Sequence, residues 1–235
     1  MIVLGIDTST TQSSIALGTE RELLGEIAVA GRSHEVAVAS TLRQLLSWTG
    51  IELGRVGGIA IGVGPGLFTG LRVGVETGKT LAQVLTVPVV GVSSLDALAH
   101  SVRATRKLIA AAIDARRGEL FFAVYRAVPG GVVRETEPAV GPPDHLVGEL
   151  EALGREVLAV GNGAILYRRE LQELGGKVEL AAPAHAHPRA SAMVELALPR
   201  FVREEHDRLF DLVPVYLRKS DAEIAWDQRA RGASD

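Results

Sequence analysis

The run Asp7-Thr8-Ser9-Thr10-Thr11-Gln12 is where this chain comes nearest to chemistry. It follows a short apolar stretch, Ile2–Ile6, and gathers an acid and several hydroxyl side chains in one turn. A turn of small hydroxyl residues lets backbone N–H groups wrap phosphate oxygens. Asp7, Thr8, Ser9 and Thr10 are therefore candidates for a nucleotide or phosphate site. Ser and Thr in turns also hydrogen-bond their own backbone, and this segment alone leaves both readings open. A second acid, Asp114, ends a second apolar run, Leu108–Ile113. The turn after it is Ala115-Arg116-Arg117-Gly118-Glu119. Its arginines attract anions but crowd the amides that a phosphate would need, and one good phosphate turn facing a poor one makes a weak ATPase.

Other motifs fail on spacing. Gly74–Thr80, GVETGKT, resembles a phosphate-binding loop, but the required first glycine falls on Val73 and the segment reads as mid-helix. Gly91-Val92-Ser93-Ser94-Leu95 lacks the last glycine of a serine-hydrolase elbow. A peptidase has no nucleophile–base spacing to support it. Cysteine is absent, which removes disulfides, thiolate catalysis and cysteine-ligated zinc. His185 and His187, in a Pro- and Ala-rich loop, read more simply as surface residues than as ligands, and His34 as a surface or capping residue. No catalytic or metal-binding residue is assigned. The formal charge of −3 gives no basic excess with which to grip nucleic acid alone. The N-terminus lacks a basic signal-peptide region, and no apolar stretch approaches the ~18 residues of a membrane span. A cytoplasmic protein with no membrane association is expected.

The elements that must position these residues occur twice. Ile2–Ile6, Ser13–Leu17 and Glu22–Val29 read as strands. Val36–Trp48 reads as a helix with Ser33 as its cap, Val56–Val63 as a strand, and Thr69–Val84 as a helix. Val87–Val92 is a bridging strand, and Ser93 with Asp96 forms a capping box for a helix over Ser94–Val102. The order then restarts with strands at Leu108–Ile113, Leu120–Tyr125 and Val132–Val140. A helix runs from Pro142-Pro143 to Leu153, a strand over Val157–Val160 and a helix over Ala164–Leu174. A further helix near Ser191–Glu204 and a strand, Leu212–Leu217, close the pattern. The expected fold is α/β, a duplicated ribonuclease-H-like architecture of the actin-like, sugar-kinase and Hsp70 ATPase kind, each lobe β-β-β-α-β-α. The lobes are placed at residues 1–104 and 105–217, with the helix near 191–204 free to pack back on the first lobe and a polar tail at 218–235.

The Thr69–Val84 helix carries Gly70, Gly74 and Gly78 four residues apart. Each costs about 1 kcal/mol against alanine in a helix, so something must approach that face closely. Close packing on its own sheet and close approach of another protein's helix both satisfy this.

DTST at 7–10, GPGLFTGLRVG at 64–74, DARRGELF at 114–121, GNGA at 161–164 and PVYLRKSDAEIAW at 214–226 resemble the bacterial TsaB (YeaZ) family. The order and spacing match from Met1 to about Trp226. The resemblance implies a non-catalytic relative of TsaD in the synthesis of threonylcarbamoyladenosine beside the tRNA anticodon. It implies pairing with a TsaD-like catalytic subunit, with a TsaE-like ATPase joining and tRNA reached only through the complex. The two histidines four residues apart that TsaD-like enzymes carry have no counterpart among the histidines here. No cofactor is expected to bind this chain tightly, with ATP expected, if anywhere, at the assembled complex. The family's helical interface maps onto Leu42, Leu45, Leu46, Gly70, Leu71, Gly74, Val75 and Gly78. A homodimer follows if that patch stays uncovered in the isolated chain. The rival expectation is a stand-alone ATP-binding enzyme of the same fold.

Overall fold

A computed structural model of the chain describes residues 1–31 and 34–218. The first half holds β1 (Ile2–Asp7), β2 (Gln12–Gly18), β3 (Leu23–Ala30), α1 (His34–Thr49), β4 (Val56–Gly64), α2 (Phe68–Leu85), β5 (Val89–Ser93) and α3 (Ser94–Ser101). The second holds β6 (Leu108–Arg116), β7 (Glu119–Val128), β8 (Gly131–Arg134), β9 (Ala139–Gly141), α4 (Pro143–Leu153), β10 (Val157–Val160), α5 (Asn162–Leu166), α6 (Arg168–Gln172), β11 (Val178–Leu180) and α7 (Ala190–Val202).

The strand order is β3-β2-β1-β4-β5 in one sheet and β8-β7-β6-β10-β11 in the other, with β9 also paired to β7. β1 runs antiparallel to β2 and parallel to β4, and β6 repeats this with β7 and β10. The duplicated ribonuclease-H-like order read from the sequence is therefore the observed one.

Side chains on a strand alternate between faces, and in the first sheet the two faces differ in size. Leu4, Ile6, Ile15, Leu17, Ile59 and Ile61 share a core with α1 and α2. Val3, Ala16 and Ala60 pack against α7. On that side a Cβ at Gly5 would meet the Ala190 carbonyl, and one at Gly58 the Phe201 ring. Small residues thus let α7, from the far end of the chain, lie close on the first sheet. Its N-terminus is fixed by Glu26, whose carboxylate accepts from Arg189 Nη2 (2.7 Å), Ser191 N (3.1 Å), Ser191 Oγ (3.0 Å) and Ser14 Oγ (3.0 Å). Burial alone would raise this acid, but the bonds from Arg189 and Ser191 outweigh it and hold Glu26 below the usual carboxylate range. The reverse crossing is made by α3, whose Leu95, Leu98 and Ala99 join Ile109, Ala111, Ile113 and Phe121 of the second sheet.

Several elements differ from expectation. The strand over Val132–Val140 is split into β8 and β9, because Thr136 Oγ1 accepts from Val124 N (3.0 Å) where a backbone rung would stand. The helix over Ala164–Leu174 breaks at Tyr167 into α5 and α6. Leu212–Leu217 forms no strand; its Val215 N–H donates one bond to Val63 O (2.7 Å). Half of the capping box forms. Ser93 Oγ accepts from Asp96 N (3.4 Å), but the Asp96 carboxylate turns to Tyr125 Oη (2.8 Å) and Arg134 Nη2 (2.8 Å). Ser33 and the tail beyond Arg218 lie outside the described residues.

Because α3 and α7 each complete the other half's core, the halves are expected to unfold together. Urea unfolding followed by far-ultraviolet circular dichroism and by amide exchange in each sheet should show one shared midpoint. Leu98→Ala should lower it for both halves, with a cost of about 2–5 kcal/mol. Separate midpoints would contradict this coupling.

Candidate functional site

The Asp7–Gln12 turn joins β1 to β2 beneath the N-terminal half of α2. The hydroxyls of Thr8, Ser9 and Thr10 are committed within the chain. Thr8 Oγ1 donates to Gly70 O (2.7 Å), and Ser9 Oγ donates to Asp7 Oδ1 (2.9 Å). Thr10 Oγ1 accepts from Gln12 N (3.3 Å) and bonds His187 Nδ1 (3.0 Å). Leu67 N donates to Ser9 O (2.7 Å), which lays the loop before α2 over the turn. Asp7, Thr8, Ser9 and Thr10 are all at most 1% exposed. The four residues expected to cradle phosphate are therefore covered and spent on the protein's own groups. The geometry matches the self-bonded turn.

Asp7 lies on the side of the sheet that faces α3 and α7. It accepts from Ser9 N (3.2 Å), Ser9 Oγ (2.9 Å) and Ser94 Oγ (3.2 Å), and a side chain at Gly62 would overlap it. Burial pushes its pKa up to about 6 despite the Ser9 and Ser94 bonds, which favour the charged form. Its counterpart Asp114 is treated differently. Asp114 Oδ1 accepts from Arg116 N (2.8 Å) and Oδ2 lies 3.3 Å from Arg116 Nη1. Arg116 and Arg117 have φ of +64° and +56°. Left-handed backbone costs a non-glycine residue roughly 1–2 kcal/mol, so this turn is tight and strained.

The glycine stripe of α2 faces inward. A Cβ at Gly70 would overlap the Thr8 carbonyl, one at Gly74 the Thr8 hydroxyl, and one at Gly78 the Ile61 side chain. Leu71 and Val75 are 0% exposed, Leu45 2% and Leu42 8%, and Leu46 is half-buried against the same core. The residues mapped to a partner interface thus belong to the first lobe's interior. One side-chain-free face per helix is available, and the hairpin uses it. The outward faces of these helices carry Arg72, Glu76, Thr80, Gln83 and Val84 on α2 and Arg43, Gln44, Ser47 and Trp48 on α1. Trp48 and Val84 are 72% and 74% exposed.

Two features were missed from sequence. Ser13 Oγ and His34 Nδ1 stand 2.8 Å apart, a hydroxyl–imidazole spacing known from hydrolases. Ser13, on β2, is 1% exposed and the His34 ring lies against Gly70, so the bond ties α1 to β2 beside α2 with the hydroxyl itself buried. Nothing in the spacing of Ser13 and His34 signals it. The second is a groove of about 680 Å³ between the β2–β3 turn, the end of α3 and α7. Within it His100 Nε2 bonds Glu195 Oε2 (2.9 Å).

Residues 28–226 match the family model described as TsaD: tRNA N6-adenosine threonylcarbamoyltransferase. The protein named tRNA threonylcarbamoyladenosine biosynthesis protein TsaB in Bacillus subtilis (strain 168) is 32% identical over 231 residues, 96% of this chain and 98% of that one. This chain belongs to the TsaB (YeaZ) family. The TsaB of Escherichia coli (strain K12) is also 32% identical, over 96% of this chain and 97% of its own. YeaZ from Pseudomonas aeruginosa superposes with a TM-score of 0.79 at 30% identity, covering 92% of this chain and 99% of that one. Component A of (R)-2-hydroxyglutaryl-CoA dehydratase from Acidaminococcus fermentans, at 11% identity and a TM-score of 0.51, shares the actin-like fold.

For this TsaB-family chain, Gly74→Ala is expected to destabilise by about 1–3 kcal/mol through overpacking on Thr8. A gain of about 1 kcal/mol in helix propensity works against that loss. Gly148→Ala, on α4 with nothing within 4 Å of its Cβ, should stabilise by up to ~1 kcal/mol. Urea midpoints of the two variants test the contrast, and equal shifts would show that the stripe is not packed. Asp7 supplies a pH test. Its folded pKa is above its unfolded value, so the folded state keeps a proton that the unfolded state releases. Its contribution is greatest below about pH 4 and lost as pH rises through about 6, roughly 3 kcal/mol in all. Asp7→Asn should gain stability relative to the parent over that window, and parallel stability–pH curves would contradict the buried acid.

Proposed function

We propose that this protein is a non-catalytic subunit of the assembly that adds a threonylcarbamoyl group to the adenosine beside the tRNA anticodon. It acts by pairing with a TsaD-like catalytic subunit, with a TsaE-like ATPase joining the pair. Family membership supports the pathway. The observation that carries the non-catalytic reading is the covered, self-bonded Asp7–Thr10 turn, in which hydroxyl groups suited to phosphate bond the chain's own Gly70, Asp7 and His187. The histidine pair of TsaD-like enzymes is also missing from the sequence.

The pairing surface is the outward side of α1 and α2, which carries exposed Trp48 and Val84 toward the helix ends and Arg72 and Glu76 nearer the start of α2. A subunit without reactive groups raises its partner's activity by binding the active arrangement better than the inactive one. With no basic excess, tRNA is reached through the complex, and ATP acts at the assembled junction. The same surface pairs two copies when the partner is absent. Among the described residues no helix is long and apolar enough to cross a membrane.

Threonylcarbamoyl transfer assayed with this chain alone should give no product, and with a TsaD-like subunit, a TsaE-like subunit and ATP it should. Product from the single chain would overturn the reading. Val84→Asp and Trp48→Asp should each weaken pairing about tenfold or more, near 1.4 kcal/mol, while changing the unfolding free energy from urea by no more than ~0.5 kcal/mol. Undiminished pairing of both variants in calorimetry would move the surface elsewhere.

A further inference from the structure

Residues 203–218, after α7, return over the first lobe and reach the second. Asp207 begins the path: its N–H donates to Val89 O (2.9 Å), Oδ2 accepts from Gly91 N (2.7 Å), and Oδ1 accepts from Arg200 Nη2 (2.9 Å). These bonds cover the edge strand β5, which would otherwise present an open ladder. Leu212, 7% exposed, enters the α1–α2 core, and its carbonyl accepts from Lys79 Nζ (3.1 Å). Val215 N–H reaches Val63 O (2.7 Å) near the end of β4. Tyr216 stacks on Phe68 with centroids 5.1 Å apart, and its hydroxyl accepts from Arg72 Nε (3.3 Å). The next residues belong to the other lobe. Leu217 packs on the cluster holding Ile113 and Phe121, and Arg218 Nη1 donates to Glu119 Oε2 (2.7 Å). Glu119 starts β7, directly after the turn that leaves the C-terminal end of β6.

The path therefore joins the C-terminal end of β4 to the C-terminal end of β6. In α/β sheets the carboxyl ends of the strands are where ligands enter. Helices α3 and α7 already connect the lobes through their cores, and residues 207–218 add a tie of a different kind, a peripheral strap across the strand ends. Relative motion of lobes is absorbed by a few hinge residues, and a strap outside them opposes it.

We infer that residues 207–218 form a latch. It holds the lobes at a set separation across their strand ends, and its release at Leu217 and Arg218 lets them part. The contact is local and chargeable: the Arg218 and Glu119 side chains are 23% and 35% exposed.

The absence of cysteine makes the test direct, since cysteines placed at exposed Thr11 and Arg169 take spin labels at those sites alone. Pulsed electron spin resonance on the full chain should give one narrow label-to-label distance. Arg218→Glu should broaden the distribution about twofold or more, as expected for released lobes. Combining Arg218→Glu with Glu119→Arg should restore it. Leu217→Ser should broaden it independently, with circular dichroism confirming the fold of each variant. An unchanged distribution in both single variants, or a broadening that the charge exchange fails to reverse, overturns the latch.

Discussion

Thr8 occupies the space that Gly70 and Gly74 leave on α2. Its hydroxyl donates to Gly70 O, and any side chain at either glycine would strike Thr8 itself. A hydroxyl-rich turn and a bare helix face have each been used up by the other. The approach draws α2 over the turn, buries Asp7 through Thr10, and leaves the opposite side of α2 as the surface turned to solvent. A strand–turn unit suited to anions becomes a structural joint. The apolar side chains exposed on the outer sides of α1 and α2 include Trp48 and Val84.

The rest of the fold keeps that joint in place. Asp7 is fixed from its far side by Ser94 at the start of α3, and α3 buries Leu95 and Leu98 in the second sheet. In the other direction α7 rests on the small-residue face of the first sheet, held by the Glu26 cluster. Each half thus lends its last helix to the other. An acid whose burial raises its pKa to about 6 is tolerated because this interlocked packing supplies it with hydroxyl and amide donors.

Much of the architecture was legible in the sequence because it rests on local patterns. Apolar runs ending at Asp7 and Asp114, turn residues between strands, and the spacing of Leu42, Leu45 and Leu46 follow from period and burial. Pairing decisions were less legible. Val132–Val140 reads as one strand, but a Thr136 hydroxyl substitutes for a rung. Asp96 reads as a capping acid, but Tyr125 and Arg134, distant in sequence, recruit it. The glycine stripe announced a close neighbour without saying which one. A single chain's periodicity gives the spacing of a face and not what covers it, so the stripe suited sheet and partner alike, and it is Thr8 that lies between the glycines. Likewise the Ser9, Thr10 and Thr8 hydroxyls read equally as phosphate ligands and as turn bonds. The deciding contacts, to Gly70 and His187, lie far along the chain. Glu26 gave a weak signal, an acid within an apolar strand, which makes sense once Arg189 and Ser191 are beside it.

With α2 and its preceding loop filling it, the Asp7–Thr10 turn has no room for phosphate. Isothermal titration of ATP with magnesium into the isolated chain should then give no saturable heat below the millimolar range, in the parent and in Asp7→Ala alike. A micromolar affinity abolished by Asp7→Ala would contradict it.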